Sequence, residues 1–478
     1  MDPMDGRDIA SDHGAYADVG RGIRRPDTIS TAGLARPLAP DLPELLRKPG
    51  APEAQEACLE GDQDAANRNR LAIVAVWTRD IDVPVRFGRV NIAVHVRDTL
   101  QDTGTLTNYT LNNVLEGAQK ASALFHAAKA LLYGLISGRP LPLQCALFAG
   151  SANHLLAAPE WRKADVIYCD GLRTLLLLRR LKDATPGHRI VVDLDDAMSR
   201  RFDIIYRNNL PLSLGYIEQL LPTGLLRLIS GKLARLIVQY ERFALRHAER
   251  EMLRLADAVV LLNPVEAEML RADALAAGDP PKAEVVVIPP PANRKAGTLS
   301  PETSSAAVAW RAVFVGSDTY VQNRMTIAHL LDLWSRHGIE TPLHIYGPQK
   351  GRWPSVPNIV FHGYVDDIAE AYTPRSFLIY HCLVAGGIKT KILEAFGHAV
   401  PVVANNLAFE GILPPEYPLV IDGEAELVAF LKTPGAWARE LAEAVKIASA
   451  YLEQEHSLQI FSKRWEAVIE GPLARFAS

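Results

Sequence analysis

The segment Phe377–Gly411 reads FLIYHCLVAGGIKTKILEAFGHAVPVVANNLAFEG. An apolar run ends near His381, and Gly386-Gly387 then leads into a helical pattern carrying Lys389, Lys391 and Glu394. Paired glycines let a backbone approach a ligand closely. The first free amides of a helix, at the positive end of its dipole, bind anions. Two lysines add charge suited to a diphosphate. Glu394 shares a helical face with Gly387 and Lys391, where a carboxylate can accept hydrogen bonds from ribose hydroxyls. The same residues also fit a C-cap-like loop followed by a solvated charged helix, and spacing alone does not choose between the two.

A second cluster closes the run Ile190–Asp196, IVVDLDD. At the end of a buried strand, Asp193, Asp195 or Asp196 could orient an acceptor hydroxyl or act as a base. An N-cap followed by a turn acid is the plainer reading. A metal pair is conceivable, although no His or Cys stands nearby. Tyr168-Cys169-Asp170-Gly171-Leu172-Arg173 repeats the arrangement after the preceding run, making Asp170 a third candidate acid. Arg173 could reach a phosphate or be a solvated helix arginine. His381 and Cys382 are adjacent on a strand and point to opposite sides, which argues against a nucleophilic pair.

The elements that must position these residues alternate in type. Leu71–Trp77, Ala164–Tyr168, Arg189–Asp193, Ala256–Asn263 and Glu284–Ile288 read as buried strands. Helical patterns at Thr110–Ile136 and Leu172–Leu181 lie between them. The small, polar stretch Ala296–Ala306 reads as a linker. A second series follows, with strands at Ala312–Gly316, Leu343–Gly347, Asn358–Gly363, Ser376–His381, Pro401–Asn405 and Tyr417–Ile421. Its helices centre on Ala328–Trp334, Lys389–Gly397 and Glu424–Leu431. A long helical region, Ala436–Ile469, breaks near His456, and Trp465 reads as its core anchor. Such alternation predicts two α/β layers with parallel sheets, whose ligands lie beyond the carboxyl ends of the strands.

The 478 residues carry a net charge of −4, which offers no global basic excess for nucleic acid. That sum divides unevenly. Residues 1–68 hold 13 acidic and 8 basic side chains, whereas the rest holds 42 and 43. With seven prolines, seven glycines and Tyr16 as its single aromatic, 1–68 reads as a disordered acidic tail. Four scattered cysteines, no CxxC pair and no basic-then-apolar leader suggest a reducing, cytoplasmic setting. Residues 200–254 hold ten basic and five acidic side chains. Within them Leu225, Ile229, Leu233, Leu236 and Tyr240 share a helical stripe, flanked by Arg227, Lys232 and Arg235. Such a helix either lies on anionic lipid, through residues 223–246, or packs on its own domain.

GGIKTKILEAFGHAVPVVANN followed by FEGI resembles the donor-binding segment of retaining glycosyltransferases of the two-Rossmann-domain (GT-B) architecture, family 4. It is closest to the bacterial polysaccharide branch that reads G-I-K-x-K-x-L-E-A and then P-V-V-A. VFVGSDTYVQNRMTIAHLLDLW, LHIYGP and PNIVFHGYVDDIAEAY resemble that branch's first C-domain strand, helix and following strands. YERFALRHAEREMLRLADAVVLLNPVEAEML is similar to the end of the family's N-terminal domain. The resemblance implies two facing Rossmann-like domains with a cleft between them. An acceptor domain would span 69–295, a linker 296–307, a nucleotide-sugar domain 308–455, and a terminal helix at 456–478 would pack back on the first domain.

It further implies that Gly386, Gly387, Lys389 and Lys391 contact the donor diphosphate, that Glu394 meets the ribose, that Tyr364 and Val365 border the base, and that Gly316, Arg324 and Ile388 belong to the same donor site. Arg86 falls where relatives hold a mobile acceptor loop, with Arg173 as a second acceptor residue. Three departures stand out. Gly386 occupies the position of a glutamate found eight residues before the one matching Glu394. The basic pair after the first C-domain strand reduces to Arg324. Pro289-Pro290-Pro291-Ala292-Asn293 replaces P-N-G-V-D.

The expected activity is transfer of a sugar from a nucleotide diphosphate sugar to a saccharide, lipid-linked in polysaccharide synthesis, with retention and without a metal cofactor. The expected location is cytoplasmic, peripheral on the inner membrane face. Another GT-B sugar-nucleotide enzyme, an epimerase or phosphorylase, and a silent nucleotide-sugar-binding scaffold are the alternatives.

Overall fold

The computed structural model describes residues 70–471 apart from 83–87, 112–119, 151–154, 156–158, 185–186, 208–230, 293, 296–308 and 385. The 1–68 tail, the 296–307 linker, Arg86, and Leu225, Arg227 and Ile229 lie outside the described residues.

Two parallel sheets organise the rest. The first runs β2-β1-β3-β4-β5-β6, from β1 (Leu71–Trp77), β2 (Gly104–Thr110), β3 (Val166–Asp170), β4 (Arg189–Asp195), β5 (Ala258–Leu261) and β6 (Glu284–Val287). The second runs β11-β10-β7-β8-β9, from β7 (Arg311–Val315), β8 (Leu343–Tyr346), β9 (Ile359–Gly363), β10 (Ser376–Tyr380) and β11 (Val402–Ala404). The architecture is the GT-B arrangement of two α/β sheets anticipated from the sequence.

Burial on both faces explains the apolar runs. Along β1, Ile73, Ala75 and Trp77 enter one core while Val74 and Val76 enter the other, the period-two alternation of a strand. Each fully buried aliphatic side chain is worth about 1.5–3 kcal/mol. A third core fills the second sheet around Phe314, Phe377, Phe396 and Phe430.

Sequence patterning misplaced some elements. Thr110 ends β2 instead of opening a helix, and the following described helix is Lys120–Ile136. β2, GTLTNYT, is an edge strand with only Gly104 fully buried, so it lacks the apolar run of a central strand. Its register needs Gly104, where a Cβ would fall 2.3 Å from the Leu71 carbonyl oxygen. Helix α1 (Arg89–Thr103) was also not anticipated. Tyr417–Ile421 does not form a full strand and pairs through the single bridge Ala404–Val420.

The final helix, Leu458–Glu470, lies on the face that holds Ile73 and Trp77, with Phe461, Trp465, Val468 and Ile469 buried there. Trp465 meets Tyr168 edge-on at 5.7 Å, and the Arg189 Nε donates to the Val468 carbonyl at 2.8 Å. The two chain crossings between the sheets also meet: the Ala292 amide donates to the His456 carbonyl at 2.7 Å.

Among the described residues no helix is long and apolar enough to cross a membrane. The basic helix Gly231–Leu255 spends much of its charge internally. Arg242 and Arg246 both pair with Asp203, Arg250 with Asp273 at 3.6 Å, and Arg254 with Asp279 at 2.9 Å. The Tyr240 hydroxyl donates to the Leu141 carbonyl at 2.7 Å, so the stripe turns inward at that position. Leu233, Leu236 and Phe243 remain exposed.

Candidate active site

At the carboxyl end of β10 the chain is pinned by Asn405. Its Oδ1 accepts from the Cys382 amide at 3.1 Å and its Nδ2 donates to the Cys382 carbonyl at 2.7 Å. His381 points away and stacks on His329 at 5.1 Å, so it makes no pair with the Cys382 thiol, which donates to the Val384 carbonyl. Gly386 and Gly387 follow with φ of 118° and 63°, backbone that a side chain would strain. The helix Thr390–Gly397 then begins.

Neither lysine of this loop extends freely toward a diphosphate. Lys389 is 6% exposed and curls back, its Nζ donating to the Gly386 carbonyl at 2.5 Å and the Gly387 carbonyl at 2.8 Å. Burial lowers its pKa. The Lys391 Nζ donates to Asn323 Oδ1 at 2.9 Å and sits 4.4 Å from the Tyr380 ring centroid and 5.1 Å from that of Phe314. Burial, and then the neighbouring charge of Lys389, bring its pKa to about 7. Gly316 lies directly against it, since a Cβ there would be 3.0 Å from the Lys391 Nζ.

Arg324 is exposed and its Nε donates to the Asp318 carbonyl at 3.0 Å. Glu394 is exposed on its helix. Tyr364 is 60% exposed beyond β9, beside Val365, which packs on the second core. Ile388 packs against the cores of both sheets.

The first sheet presents its acids to this loop at different depths. Asp170 is fully buried. Its Oδ2 accepts from the Thr78 amide, the Thr78 hydroxyl and Arg79 Nε at 3.1, 3.1 and 3.0 Å, and its Oδ1 lies 3.4 Å from Arg89. Burial opposes ionisation, but Arg79 and Arg89 outweigh it and hold the pKa at about 2. With both oxygens committed below the surface, Asp170 lies in a structural ion-pair network and is not positioned to take a proton from a substrate. Asp193 is likewise buried, taking hydrogen bonds from Arg89 and, at 2.9 Å, the Tyr168 hydroxyl.

Asp195 differs. It ends β4 with φ of 69°, and its side chain keeps 26% exposure. Burial raises its pKa to about 6; Arg89 opposes that while Asp196 and Asp193 add to it. Asp196 pairs with Arg201 and approaches the loop across the cleft. A Cβ on Gly387 would lie 3.6 Å from Asp196 Oδ2 and 3.9 Å from Arg201 Nη2. Among the described residues no group of three or more His, Cys, Asp or Glu is placed to hold a metal ion.

The residues that join the two halves were missed by sequence reasoning. Asn263 caps the helix Pro264–Ala276, accepting from the Val265 amide at 2.9 Å, and this places Glu266 in the first turn. Glu266 Oε2 accepts from the Ala197 amide at 3.0 Å and Oε1 from the Gly387 amide at 3.2 Å. Burial, with repulsion from Asp196, brings its pKa to about 7. Arg200 grips both oxygens of Glu410 at 2.5 and 2.6 Å, and Asn263 Nδ2 donates to Glu410 at 3.1 Å. Arg200, Glu266 and Glu410 come together only in the fold; the available signals were the Asn-Pro-x-Glu helix start and the Glu of FEGI.

Comparison with known proteins agrees with this architecture. Residues 310–447 match the family described as "Glycosyl transferases group 1". No curated protein matches the sequence. The α,α-trehalose 6-phosphate synthase from Burkholderia multivorans superimposes with a TM-score of 0.55 at 13% identity, over 86% of this chain and 100% of that one. Sucrose-phosphate synthase from Thermosynechococcus elongatus gives 0.51 at 12% identity, over 82% and 96%. These two likenesses show the shared fold. Over residues 310–447 the chain is similar to the group 1 glycosyl transferases, and its two sheets have the GT-B fold of nucleotide-sugar glycosyltransferases.

Proposed function

We propose that the cleft between Gly386-Gly387 and Asp195-Asp196 transfers a sugar to a saccharide hydroxyl. The observation that carries this reading is the approach of Asp196 and Glu266 to the Gly387 backbone. It sets the first sheet's acids beside the loop expected to hold the diphosphate. The donor lies along Gly316, Arg324, Ile388 and the Gly386-Gly387 loop, whose Gly387 amide is held by Glu266, with Lys389 and Lys391 behind the loop. Glu394 meets the ribose, and Tyr364 and Val365 border the base. The acceptor oxygen bonds to the anomeric carbon on the face from which the diphosphate departs, as that bond breaks, and Asp195 takes the hydroxyl proton. Backbone amides and cations stabilise the leaving charge, as pre-organised dipoles do, without a divalent metal. Retention of configuration follows from the family resemblance.

Gly386, standing where relatives carry a glutamate, favours a second reading, a nucleotide-sugar-binding scaffold without turnover. Release of nucleoside diphosphate, measured over a panel of nucleotide sugars with and without saccharide acceptors, separates the two. Acceptor-dependent release supports transfer; binding without release supports the scaffold.

We further propose a lipid-linked acceptor in polysaccharide synthesis and a peripheral, cytoplasmic-face location. The exposed Leu233, Leu236 and Phe243 support that location. Flotation with vesicles tests it; Leu236→Asp should reduce association, and equal flotation of both proteins would discard the membrane.

A further inference from the structure

The helix Lys120–Ile136 is built inside out for a helix on a water-facing surface. Its inward face is made mostly of small residues. Ala127 and Gly134 are buried, and Ala130 and Leu131 pack against a core of the first sheet. The large residues point the other way. At about 100° per residue, Phe125, Leu132 and Ile136 fall on one line opposite Ala127 and Gly134. They are 67, 60 and 77% exposed, and Tyr133 and Leu135 flank them, also exposed. Single exposed apolar residues are ordinary, but a line of large ones on a helix that is apolar on both faces marks an interaction surface.

Charge says what fits that surface. Residues 117–159 contain no Asp or Glu, while Lys120, Lys129 and Arg139 are basic. Lys129 stands exposed between Phe125 and Tyr133 at four-residue spacing, and Arg139 is exposed just past the helix end. Long basic side chains in such places lay their stems on apolar surface and hold their charge at its rim. A second copy seated across a two-fold axis would set the same cations against each other, with no acid of the segment to offset them. Anionic lipid offsets them.

The helix is also fastened to the basic helix Gly231–Leu255. The Arg139 amide donates to the Gly134 carbonyl at 2.8 Å, and the chain folds back so closely that a Cβ on Gly134 would lie 2.8 Å from the Arg139 carbonyl oxygen. Two residues on, the Leu141 carbonyl accepts from the Tyr240 hydroxyl at 2.7 Å. Tyr240 lies one turn beyond the exposed Leu236.

We propose that Lys120–Ile136 is the element that enters the bilayer. It lies along an anionic membrane surface with Phe125, Leu132 and Ile136 at the acyl boundary and Lys129 and Arg139 among the lipid phosphates, as basic amphipathic helices do. This rests on the reading of a peripheral location, and it names the segment that produces it and the lipid charge it selects.

The test is flotation of the full chain with vesicles of phosphatidylcholine alone and of phosphatidylcholine and phosphatidylglycerol in equal parts. Wild type should float with the mixed vesicles and much less with the neutral ones. The paired substitution Leu132→Asp, Ile136→Asp should weaken that association about tenfold or more. Both side chains face outward, so the melting temperature should hold; should the paired variant unfold, Phe125→Gln carries the same expectation. Lys129→Glu should weaken binding to the mixed vesicles by about fivefold. Equal flotation of wild type and the paired variant, while Leu236→Asp floats less, overturns the proposal and leaves the membrane location standing. Equal flotation of wild type with the two kinds of vesicle also overturns it, because the lipid charge is then not read. A wild type that sediments as a dimer and a paired variant that sediments as a monomer, floating equally, make the face a contact between copies and overturn it too. No flotation of wild type with either vesicle overturns both this proposal and the membrane location.

Discussion

Glu266, from the half built on the first sheet, accepts a hydrogen bond from the Gly387 amide of the other half at 3.2 Å. The same carboxylate accepts from the Ala197 amide at 3.0 Å. One buried side chain, 1% exposed, thus ties the loop after β4 to the glycine loop after β10. Positioning of this kind is expensive to lose, since a displacement of about 1 Å can cost about a hundredfold in rate.

Glu266→Ala should therefore lower kcat by about 10- to 100-fold while the protein stays folded. Small-angle scattering should show a larger radius of gyration for the variant. Unchanged kinetics and unchanged scattering together would show that the tie does not hold the halves.

Asp195, with a pKa of about 6, should give activity an acid limb. A base works when deprotonated, so the rate should rise with pH through about 6 and level above it. Asp195→Asn should lose about a hundredfold or more and flatten that limb. A variant retaining the same limb would assign it to another group.

Gly387→Ala puts a methyl where φ is 63° and Asp196 stands 3.6 Å away. The backbone strain is about 1–2 kcal/mol. Nucleoside diphosphate binding should weaken by about tenfold with the melting temperature shifted by only a few degrees. Full affinity in calorimetry would remove the loop from the donor site.

Lys391 is held at a pKa of about 7, below that of an unfolded lysine. Its penalty on folding is therefore full below pH 7 and fades as pH rises toward the unfolded value. At pH 8 it is mostly neutral, and a diphosphate placed beside it would raise its pKa. Binding should then take up protons, seen as a dependence of binding heat on buffer ionisation heat. Lys391→Met should abolish that dependence; if it persists, the lysine does not sense the ligand.

Glu249 takes a hydrogen bond from the Ser199 amide at 2.9 Å, and burial raises its pKa to about 7. The fold binds a proton that the unfolded chain has lost, so stability should fall as pH rises from about 4.5 to 7. Glu249→Gln keeps the acceptor and removes the ionisation. Its unfolding free energy, followed by denaturant titration, should decline less than that of wild type between pH 5 and 8, by a difference on the order of 3 kcal/mol at most.

Much of the fold was legible because central strands are written as uninterrupted apolar runs. β1 falls on Leu71–Trp77 in both readings. β2 was invisible for the converse reason, since an edge strand of polar residues carries no such run. In the candidate site, the glycine pair, the lysines and the row of aspartates could be read from type and spacing. Their depth could not. Asp170 and Asp195 look alike in sequence, and Arg79, more than 90 positions from Asp170, helps to separate a saturated ion pair from a partly exposed carboxyl. The inward turn of Lys391 depends on Phe314, Tyr380 and Asn323, which meet it only once β7 and β10 are adjacent.

The paired crossings have a mechanical consequence. The chain passes from the first sheet to the second before Ala292 and returns after His456, and these two passages are hydrogen-bonded to each other: the Ala292 amide to the His456 carbonyl at 2.7 Å, and the His456 ring to the Pro290 carbonyl at 2.8 Å. Two tethers fastened side by side resist sliding and shear far more than they resist turning. Fastened in this way, the two passages are the natural place for a hinge, and a swing of one half about them would change the separation of Gly387 and Glu266.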